Sequence, residues 1–237
     1  MPTVCDILKQ HATPLGIALT DTQLAQFDRY AALLLDWSTR MNLTAIKDDE
    51  GIAVKHFLDS ILLAHHVVIP NEASLIDVGS GAGFPGVPVK IMRQDVAITL
   101  ADSTNKRITF LSALLKELAL SGSTVHARAE DLGNDNGYRE RYDVATARAV
   151  AHLRELSEYC LPFVKPGGIF AAMKSGNVIT ELTEAARAIK TLGGTVQDII
   201  RFPLPNAGER TIVVIKKISQ TPTSYPRPGA KMAKNPL

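Results

Sequence analysis

The sequence lacks several features that mark particular classes of protein. It has only two cysteines, Cys5 and Cys160, which lie far apart and lack the spacing of metal ligands, so we expect reduced thiols, no metal site and a cytoplasmic location. It contains no run of 18 or more apolar residues, and an early acid, Asp6, interrupts the N-terminus, so neither a membrane span nor a secretory signal is expected. The net charge is only +2, so a nucleic-acid surface would have to come from local clustering of basic residues.

What the sequence does contain is a glycine-rich stretch at residues 74–86 (SLIDVGSGAGFPG). Residues 75–78 predict a buried strand, the glycines predict a turn, and residues 87–92 resume an apolar pattern that suits a helix. Strand, glycine turn and helix together bring backbone N–H groups up to a nucleotide-like ligand at the carboxyl end of a sheet. Glycine suits this turn because side chains would block the approach and because some positions need a positive φ.

Three interpretations of the turn are open. Residues 81–86 fit the G-x-G-x-x-G fingerprint of dinucleotide-binding enzymes. Residues 77–83, an acid followed by alternate glycines, fit the S-adenosylmethionine pattern of class I methyltransferases better. Pro85 in the turn and Pro88 at the start of the helix also remove N–H donors that a pyrophosphate would use. Asp102, 23 positions after Gly79, can accept both ribose hydroxyls of either cofactor. A tight turn without a ligand would need fewer glycines and no spaced acid.

The remaining pattern predicts an α/β fold. Helical spacing of apolar residues fills residues 1–70, and strands then alternate with helices, which predicts a mostly parallel, Rossmann-like sheet with helices on both faces. The last two strands have no room for a helix between them, so the final strand is predicted to be antiparallel. We expect an N-terminal helical segment (1–70), a methyltransferase-like domain (71–218) and a basic C-terminal tail (219–237).

Seven strands are predicted in all, and the linker before strand five is predicted as a turn at residues 165–168. Ser103 is a candidate N-cap for the helix after strand two. The six strands after the first are predicted at residues 96–101, 124–127, 142–147, 169–173, about 195–201 and about 210–217.

Polar side chains follow the predicted strands at their carboxyl ends, where ligands bind in open parallel sheets. Glu130 and Asp131, after strand three, either meet an adenine edge or cap a short helix. Arg148, after strand four, is a candidate to bind a ligand carboxylate or a substrate phosphate through paired hydrogen bonds. Lys174, after strand five, is similarly placed for a phosphate.

His56 and Asp59 lie three apart on a predicted helix of the N-terminal segment and could touch. Two interpretations are open for this pair. It forms a hydrogen bond on the helix surface, or it contacts the mouth of the cofactor site.

Two motifs of other methyltransferases are missing. Amine methylation of adenine or glutamine usually uses an Asn/Asp-Pro-Pro-aromatic motif, and the sequence has no Pro-Pro pair. Pyrimidine C5 methylation needs a cysteine nucleophile, whereas Cys160 and Cys5 fall inside predicted helices. A ring nitrogen such as guanine N7 carries its own lone pair and needs neither a base nor a covalent adduct. We therefore expect no catalytic acid–base residue.

The C-terminal tail is basic, proline-rich and free of acids. It carries Tyr225, Arg227 and Lys231, and such a segment is not expected to build a core. Two interpretations are open: the tail lies along a phosphate backbone and stacks one base, or it is a solvated extension.

Several blocks taken in order resemble one family, the bacterial 16S ribosomal RNA guanine-N7 methyltransferases, also called glucose-inhibited division protein B. The resemblance covers roughly residues 20–237 and departs from the family pattern only slightly, as at Thr211 and in residues 173–176. The blocks that carry it are residues 41–44 (MNLT), 56–60 (HFLDS), 77–86 (DVGSGAGFPG), 129–130 (AE), 147–149 (ARA) and 225–229 (YPRPG).

The resemblance implies a class I fold and methyl transfer from S-adenosylmethionine, with S-adenosylhomocysteine as product, to N7 of a guanine in the 530 loop of 16S rRNA, expected at nucleotide 527. The cofactor positions that it implies, together with Gly81 of the turn, are Gly79, Phe84, Asp102, Ser103, Thr104, Ala129, Glu130 and Arg148. Candidate contacts to the RNA are Arg148, Lys174, Arg227 and Lys231.

The partners implied are 16S rRNA, the 30S subunit or its assembly intermediate, with no membrane, and we expect a monomer. Two functions of other classes stay open on the residues alone: an NAD(P)-binding oxidoreductase that uses the same glycines, and a non-enzymatic RNA-binding protein.

Overall fold

We analysed a computed structural model of the chain, which describes residues 2–176 and 178–237. The N-terminal part is helical, as predicted. Helix α1 (Val4–Ala12) ends in a short 3₁₀ turn (Thr13–Leu15), and α2 (Asp21–Ser38) begins with a capping box between Thr20 and Gln23. A third helical stretch then begins at α3 (Asp49–Gly51), continues as a π-helix (Ile52–Leu58) and ends as α4 (Asp59–His66).

The rest of the chain alternates strands and helices. The strands are β1 (Ser74–Val78), β2 (Ala97–Asp102), β3 (Ser123–His126), β4 (Tyr142–Arg148), β5 (Val164–Ser175), β6 (Gly194–Leu204) and β7 (Gly208–Lys217). The helices are α5 (Gly86–Met92), α6 (Asn105–Glu117), α7 (Ala129–Leu132), α8 (Leu153–Cys160), α9 (Ile179–Thr191) and α10 (Gly229–Lys234), with a 3₁₀ turn at Leu161–Phe163.

The strands form one seven-stranded sheet in the order β3-β2-β1-β4-β5-β7-β6. The first five are parallel, and β7 pairs antiparallel with both β5 and β6. The predicted antiparallel last strand is confirmed. The carboxyl ends of β1, β2 and β4 meet at the middle of one sheet edge, where the order of strands reverses, and this is where ligands bind in such folds.

Alternate residues of the strands face two different cores. Leu75 of β1 packs in a core with the N-terminal helices, α5 and α6, whereas Ile76 packs with α7, α8 and α9. The N-terminal helical segment therefore shares a continuous core with one face of the sheet, because its apolar residues such as Phe27 and Phe57 are fully buried there.

Three local predictions are corrected. Residues 165–168 do not form a separate turn but lie inside β5 as a bulge, since Tyr142 pairs with Val164 and Val144 with Ile169. The loop between the last strands is shorter than predicted because their ladder extends to Leu204 and Gly208. The N-cap of α6 is Thr104 rather than Ser103.

The C-terminal segment packs onto the domain, contrary to expectation. Met232 of α10 is 1% exposed, and Pro226 is buried against Gly133. Arg139 donates hydrogen bonds to the carbonyls of Thr221 and Tyr225, which ties the segment to the loop before β4. The expectation that this segment contributes nothing to a core is therefore wrong. No helix in the described part of the chain is long and apolar enough to cross a membrane.

Candidate active site

The glycine turn follows β1 directly, and its glycines have the conformations that the sequence predicted. Gly79, Gly81 and Gly83 have φ values of 71°, 58° and 98°, in the left-handed region where a side chain is strained. A Cβ on Gly79 would lie 2.8 Å from Val150, and a Cβ on Gly83 would lie 2.6 Å from the Tyr30 hydroxyl. A Cβ on Gly81, by contrast, would meet only the Gly79 carbonyl oxygen, at 3.9 Å, so glycine at this position leaves room for a ligand.

The backbone N–H groups of the turn are already used within the protein. Those of Gly79 and Ser80 donate to the Ala101 carbonyl, those of Gly83 and Phe84 donate to the Ser80 carbonyl, and that of Gly81 donates to Asp102. A pyrophosphate needs free N–H donors at this position. The turn therefore fits a nucleoside without a pyrophosphate better than it fits a dinucleotide.

Asp102 closes β2 beside the turn. Its side chain is 2% exposed, and its Oδ2 accepts from the Gly81 N–H at 2.9 Å while its Oδ1 accepts from the Thr104 N–H at 2.8 Å. Arg107 forms an ion pair with Oδ2 at 3.3 Å. These donors keep the carboxylate fixed between the glycine turn and the start of α6, and they leave a second lone pair on Oδ1 for a ligand hydroxyl.

Asp77, the acid of the glycine motif, has a different position. It is fully buried under the turn, where Oδ2 accepts from the Gly86 N–H at the start of α5 at 3.0 Å. Burial raises the pKa of Asp77 to about 7. Asp77 therefore stabilises the turn from within the protein core and is not available to bind a ligand at the sheet edge.

A cleft of about 350 Å³ opens along the carboxyl ends of β1 and β2. Glu130 lies at its far end in α7, a four-residue helix, and is 7% exposed. Tyr159 of α8 lines the same end, and sequence reasoning did not identify it because it lies on the apolar face of a helix. The predicted cofactor residues that line this cleft are Gly79, Asp102, Ser103, Ala129 and Glu130.

A second cavity of about 380 Å³ lies at the ends of β4, β5 and β7. Arg148 and Ala149 line this cavity, whereas Val150 and Ala151 line the first, so the loop after β4 separates the two. The structure thus places Arg148 on the side of the second cavity. Lys174 also lines it, where its Nζ contacts Glu181 at 2.6 Å and donates to the Ala151 carbonyl.

Arg148 is held by the N-terminal helical segment. One guanidinium nitrogen donates to Asp59 Oδ2 at 2.9 Å and to the Lys55 carbonyl at 3.1 Å. The other oxygen of Asp59 lies 3.4 Å from Arg210 Nε. Burial raises the pKa of Asp59, and the two arginines oppose that shift. His56 and Asp59 therefore contact Arg148 instead of each other, and the prediction of a simple surface hydrogen bond between them is wrong.

His56, Phe84 and Tyr30 form a stack next to this ion pair. The Phe84 ring lies between Tyr30, with a centroid distance of 5.2 Å, and His56, with a centroid distance of 4.5 Å, and Arg148 lies 4.9 Å from the same ring. His56 Nε2 pairs with the Thr44 hydroxyl at 2.7 Å. Burial, and next the charge of Arg148, lower the pKa of His56 to about 4, so the imidazole is neutral at pH 7.

The π-helix at Ile52–Leu58 carries His56 and leads directly into Asp59. π-helical turns are uncommon and often lie at functional sites. Its side chains reach the glycine turn and the end of β4, so the helical segment completes the wall of the second cavity. Arg210 and Glu181 complete the cavity and were missed from the sequence because their partners lie far away in the chain.

The remaining candidates lie elsewhere. Arg227 is bound to Glu158 at 2.7 Å and is 10% exposed, so its guanidinium points into the protein rather than toward solvent. Lys231 is exposed on α10. Phe84 is 5% exposed and borders the turn through its stacked ring, and Thr104 contacts Asp102 through its N–H.

The sheet order, the antiparallel β7 and the glycine turn opposite Asp102 define a class I S-adenosylmethionine-dependent methyltransferase fold. Solved structures agree on the fold. One described as a predicted O-methyltransferase from Agrobacterium tumefaciens has a TM-score of 0.54 and 20% identity, covering 68% of this chain and 81% of its own. The geranyl diphosphate C-methyltransferase from Streptomyces coelicolor has a TM-score of 0.53 and 10% identity, covering 68% and 79%.

Sequence comparison gives the family. The family model described as rRNA small subunit methyltransferase G matches residues 23–212. The protein named ribosomal RNA small subunit methyltransferase G from Acetivibrio thermocellus is 49% identical, covering 98% of this chain and 96% of its own. The protein of the same name from Staphylococcus carnosus is 50% identical, with 93% of each chain covered. The chain belongs to the rRNA small subunit methyltransferase G family.

The resemblance seen in the sequence is thereby confirmed, as are the class I fold, the enzyme class and the cofactor. The protein is an S-adenosylmethionine-dependent rRNA methyltransferase.

Proposed function

We propose that this protein transfers the methyl group of S-adenosylmethionine to N7 of a guanine in the 530 loop of 16S rRNA, with nucleotide 527 as the expected position. The observation that carries the proposal is the pair of cavities on either side of residues 148–151, one beside the glycine turn and Asp102 and the other lined by four cations and two carboxylates. Family membership indicates that the acceptor is rRNA. The residues of the second cavity favour an acceptor base that lies in an RNA loop.

We place the cofactor in the first cleft. Asp102 would accept a ribose hydroxyl, Glu130 would accept the exocyclic amine of adenine, and the backbone of Gly79 and Gly81 would lie against the ligand. The bound cofactor supplies an electrophilic methyl group on a sulfonium. Ser103 and Ala129 line the same cleft. Phe84 belongs to the glycine turn and Thr104 donates to Asp102, whereas Arg148 lies on the side of the second cavity; all five remain proposed contacts.

The groups around the second cavity fit an acceptor that needs no base. His56 lies beside Arg148, and burial lowers its pKa to about 4, so the imidazole is a weak base. Asp59 is paired with two arginines. Guanine N7 carries a lone pair and no proton, so in-line positioning is sufficient for it to react. We therefore assign no catalytic acid or base, and these side chains position and bind.

The second cavity suits a base unstacked from a loop. Arg148, Arg210 and Lys174 line it, and Lys55 at its rim is exposed. RNA loops offer bases that proteins can splay out, whereas a base within a helix is inaccessible. Three of these four cations pair with Asp59 or Glu181, so the lining keeps a net positive charge, and that charge would attract the phosphates that flank the extruded nucleotide.

A transfer assay tests this function. Purified protein is incubated with labelled S-adenosylmethionine and 16S rRNA, 30S subunits or assembly intermediates from a strain that lacks the enzyme, and the RNA is digested to nucleosides. We expect 7-methylguanosine as the single labelled nucleoside. Label in another nucleoside, or none with any of the three substrates, would refute the proposal, and the three substrates show which form of the RNA is used.

Membership of the rRNA small subunit methyltransferase G family decides against the two other classes that the residues alone left open, an NAD(P)-binding oxidoreductase and a non-enzymatic RNA-binding protein. We further propose that the enzyme acts in the cytoplasm as a monomer, which sedimentation of the purified protein tests.

A further inference from the structure

The C-terminal segment, residues 221–235, packs against the end of the cofactor cleft that holds Glu130. Asn134 Nδ2 links the two directly, because it donates to the Glu130 carbonyl at 2.9 Å and to the Pro226 carbonyl at 3.1 Å. Pro226 itself packs against Gly133, the residue that ends α7. The backbone of the segment and the backbone of α7 therefore share one hydrogen-bonded anchor.

A buried ion pair holds the segment to α8 on the other side. Arg227 donates to Glu158 through Nε at 2.8 Å and through Nη2 at 2.7 Å, and its backbone N–H donates to the same carboxylate at 2.8 Å. Glu158 is 1% exposed. A pair desolvated to this degree fixes geometry because breaking it leaves an uncompensated buried charge.

Two residues beyond the second anchor, the segment passes beside the Glu130 side chain. A Cβ added to Gly229 would lie 2.6 Å from Glu130 Oε1 and 3.8 Å from the Tyr159 hydroxyl. The segment thus passes so close to the Glu130 carboxylate that a larger residue at position 229 would displace that carboxylate. Within the described residues, the charged partner of that carboxylate is Arg128 at 3.8 Å, whose side chain is 71% exposed. Contact with Gly229 is accordingly a main constraint on where the carboxylate lies.

We propose that residues 225–229 are a positioning element of the cofactor site, which sets the place of the Glu130 carboxylate at the adenine end of the cleft. The inference rests on the proposed placement of the cofactor in this cleft. It assigns to the C-terminal segment an effect on cofactor affinity, in place of the contact with RNA that its basic composition suggests.

The burial of Arg227 favours this assignment over an RNA contact. Its guanidinium is turned toward Glu158 and packs 5.6 Å from the Tyr225 ring, so neither the cation nor that face of the ring is free for a nucleotide. Lys231 and Lys234 are exposed and contact neither Glu130 nor Glu158 in the hydrogen bonds and ion pairs of the described chain.

The test uses Gly229→Ala and Gly229→Val in the full-length protein. Each new side chain collides with the end of a flexible carboxylate rather than with backbone, so the fold tolerates it while Glu130 must move. Ala230→Val is the matched control, since it adds bulk to the next residue of α10, which is exposed. Glu130→Ala is the reference for the cleft itself.

The measurements are the affinity for S-adenosylhomocysteine by calorimetry, the melting temperature and the steady-state kinetics of rRNA methylation. We expect Gly229→Val to weaken cofactor affinity at least tenfold, Gly229→Ala to weaken it less, and Ala230→Val to leave it unchanged. KM for S-adenosylmethionine should rise while KM for rRNA and the melting temperature stay unchanged.

The outcomes are distinguishable. If Glu130→Ala weakens cofactor binding but neither Gly229 variant does, or if Ala230→Val weakens it equally, the positioning role is wrong. If the Gly229 variants raise KM for rRNA alone, the segment serves RNA and the inference is overturned. If Glu130→Ala, which removes both acceptor oxygens, leaves the affinity unchanged, the placement of the adenine in the cleft is wrong, and the inference falls with it.

Discussion

Replacing His56 with glutamine should change how the stability of this protein depends on pH. The imidazole stacks on Phe84 and lies beside Arg148, and burial lowers its pKa from 6.5 to about 4. Between pH 6.5 and pH 4 His56 therefore binds a proton in the unfolded chain but not in the folded chain. The stability that comes from burying the neutral imidazole is fully present above pH 6.5 and is lost as the pH falls toward 4. At 1.36 kcal/mol per pKa unit, the loss from pH 7 to pH 4 amounts to about 3 kcal/mol.

The assay is urea unfolding at several pH values from 7 to 4, with the free energy of unfolding extrapolated to water. Other groups titrate in the same range, among them Asp77, whose raised pKa of about 7 acts in the opposite direction and lowers stability as the pH rises. The informative quantity is therefore the difference between the wild type and His56→Gln at each pH. His65→Gln, which removes an exposed imidazole from α4, serves as the control.

If the account is correct, the wild type loses about 3 kcal/mol more than His56→Gln on acidification from pH 7 to pH 4. Parallel pH profiles for the two proteins would refute the reasoning. They would show that the imidazole is not desolvated beside Arg148, and that water reaches the side of the helical segment that faces the second cavity.

Three further predictions concern the cleft and the fold. Gly81→Val should abolish measurable binding of S-adenosylhomocysteine by calorimetry, because the new side chain would fill the space beside Asp102, to which the Gly81 N–H donates. Gly16→Val is the control, since Gly16 also has a positive φ and an open surrounding but does not line the cleft, and it should leave binding intact. Equal affinities of the two variants would defeat the site assignment. Asp102→Ala should weaken cofactor binding at least tenfold, since it removes the acceptor for the ribose, and an unchanged dissociation constant would place the sugar elsewhere. Glu158→Gln should lower the free energy of unfolding by about 3–5 kcal/mol because it leaves a buried arginine unpaired, whereas removal of the exposed Asp36 should cost under about 1 kcal/mol in the same urea titration; similar losses would contradict the buried pairing.

Much of the fold and the glycine turn could be predicted because the signals are local. Short windows of sequence are enough to recognise the alternation of strands and helices, the glycine spacing and the acid at the end of β2. The structure confirms the sheet and the positive φ values of the glycines. The errors in predicting helix and strand ends amount to one or a few residues, because neighbouring residues can serve the same role. Thr104, for example, is the N-cap of α6 in place of the predicted Ser103.

The second cavity could not be predicted in the same way. Arg148 owes its position to Asp59 and the Lys55 carbonyl, about ninety residues earlier, and to a π-helical turn that has no clear sequence signature. Likewise, a basic composition suggested that Arg227 was free, whereas a single buried carboxylate, Glu158, holds it. Long-range pairs of charges decide both cases, and composition carries no information about them.

The central claim is that a methyl group passes from the glycine cleft to a ring nitrogen of guanine in ribosomal RNA. The most direct measurement exploits the lability of 7-methylguanosine: RNA from a strain lacking the enzyme is methylated with purified protein, treated with borohydride and aniline, and read by primer extension. The account predicts one enzyme-dependent strand break, in the 530 loop of 16S rRNA, that disappears with Gly81→Val. Transfer of labelled methyl groups without such a break, or a break that persists with that variant, would contradict it.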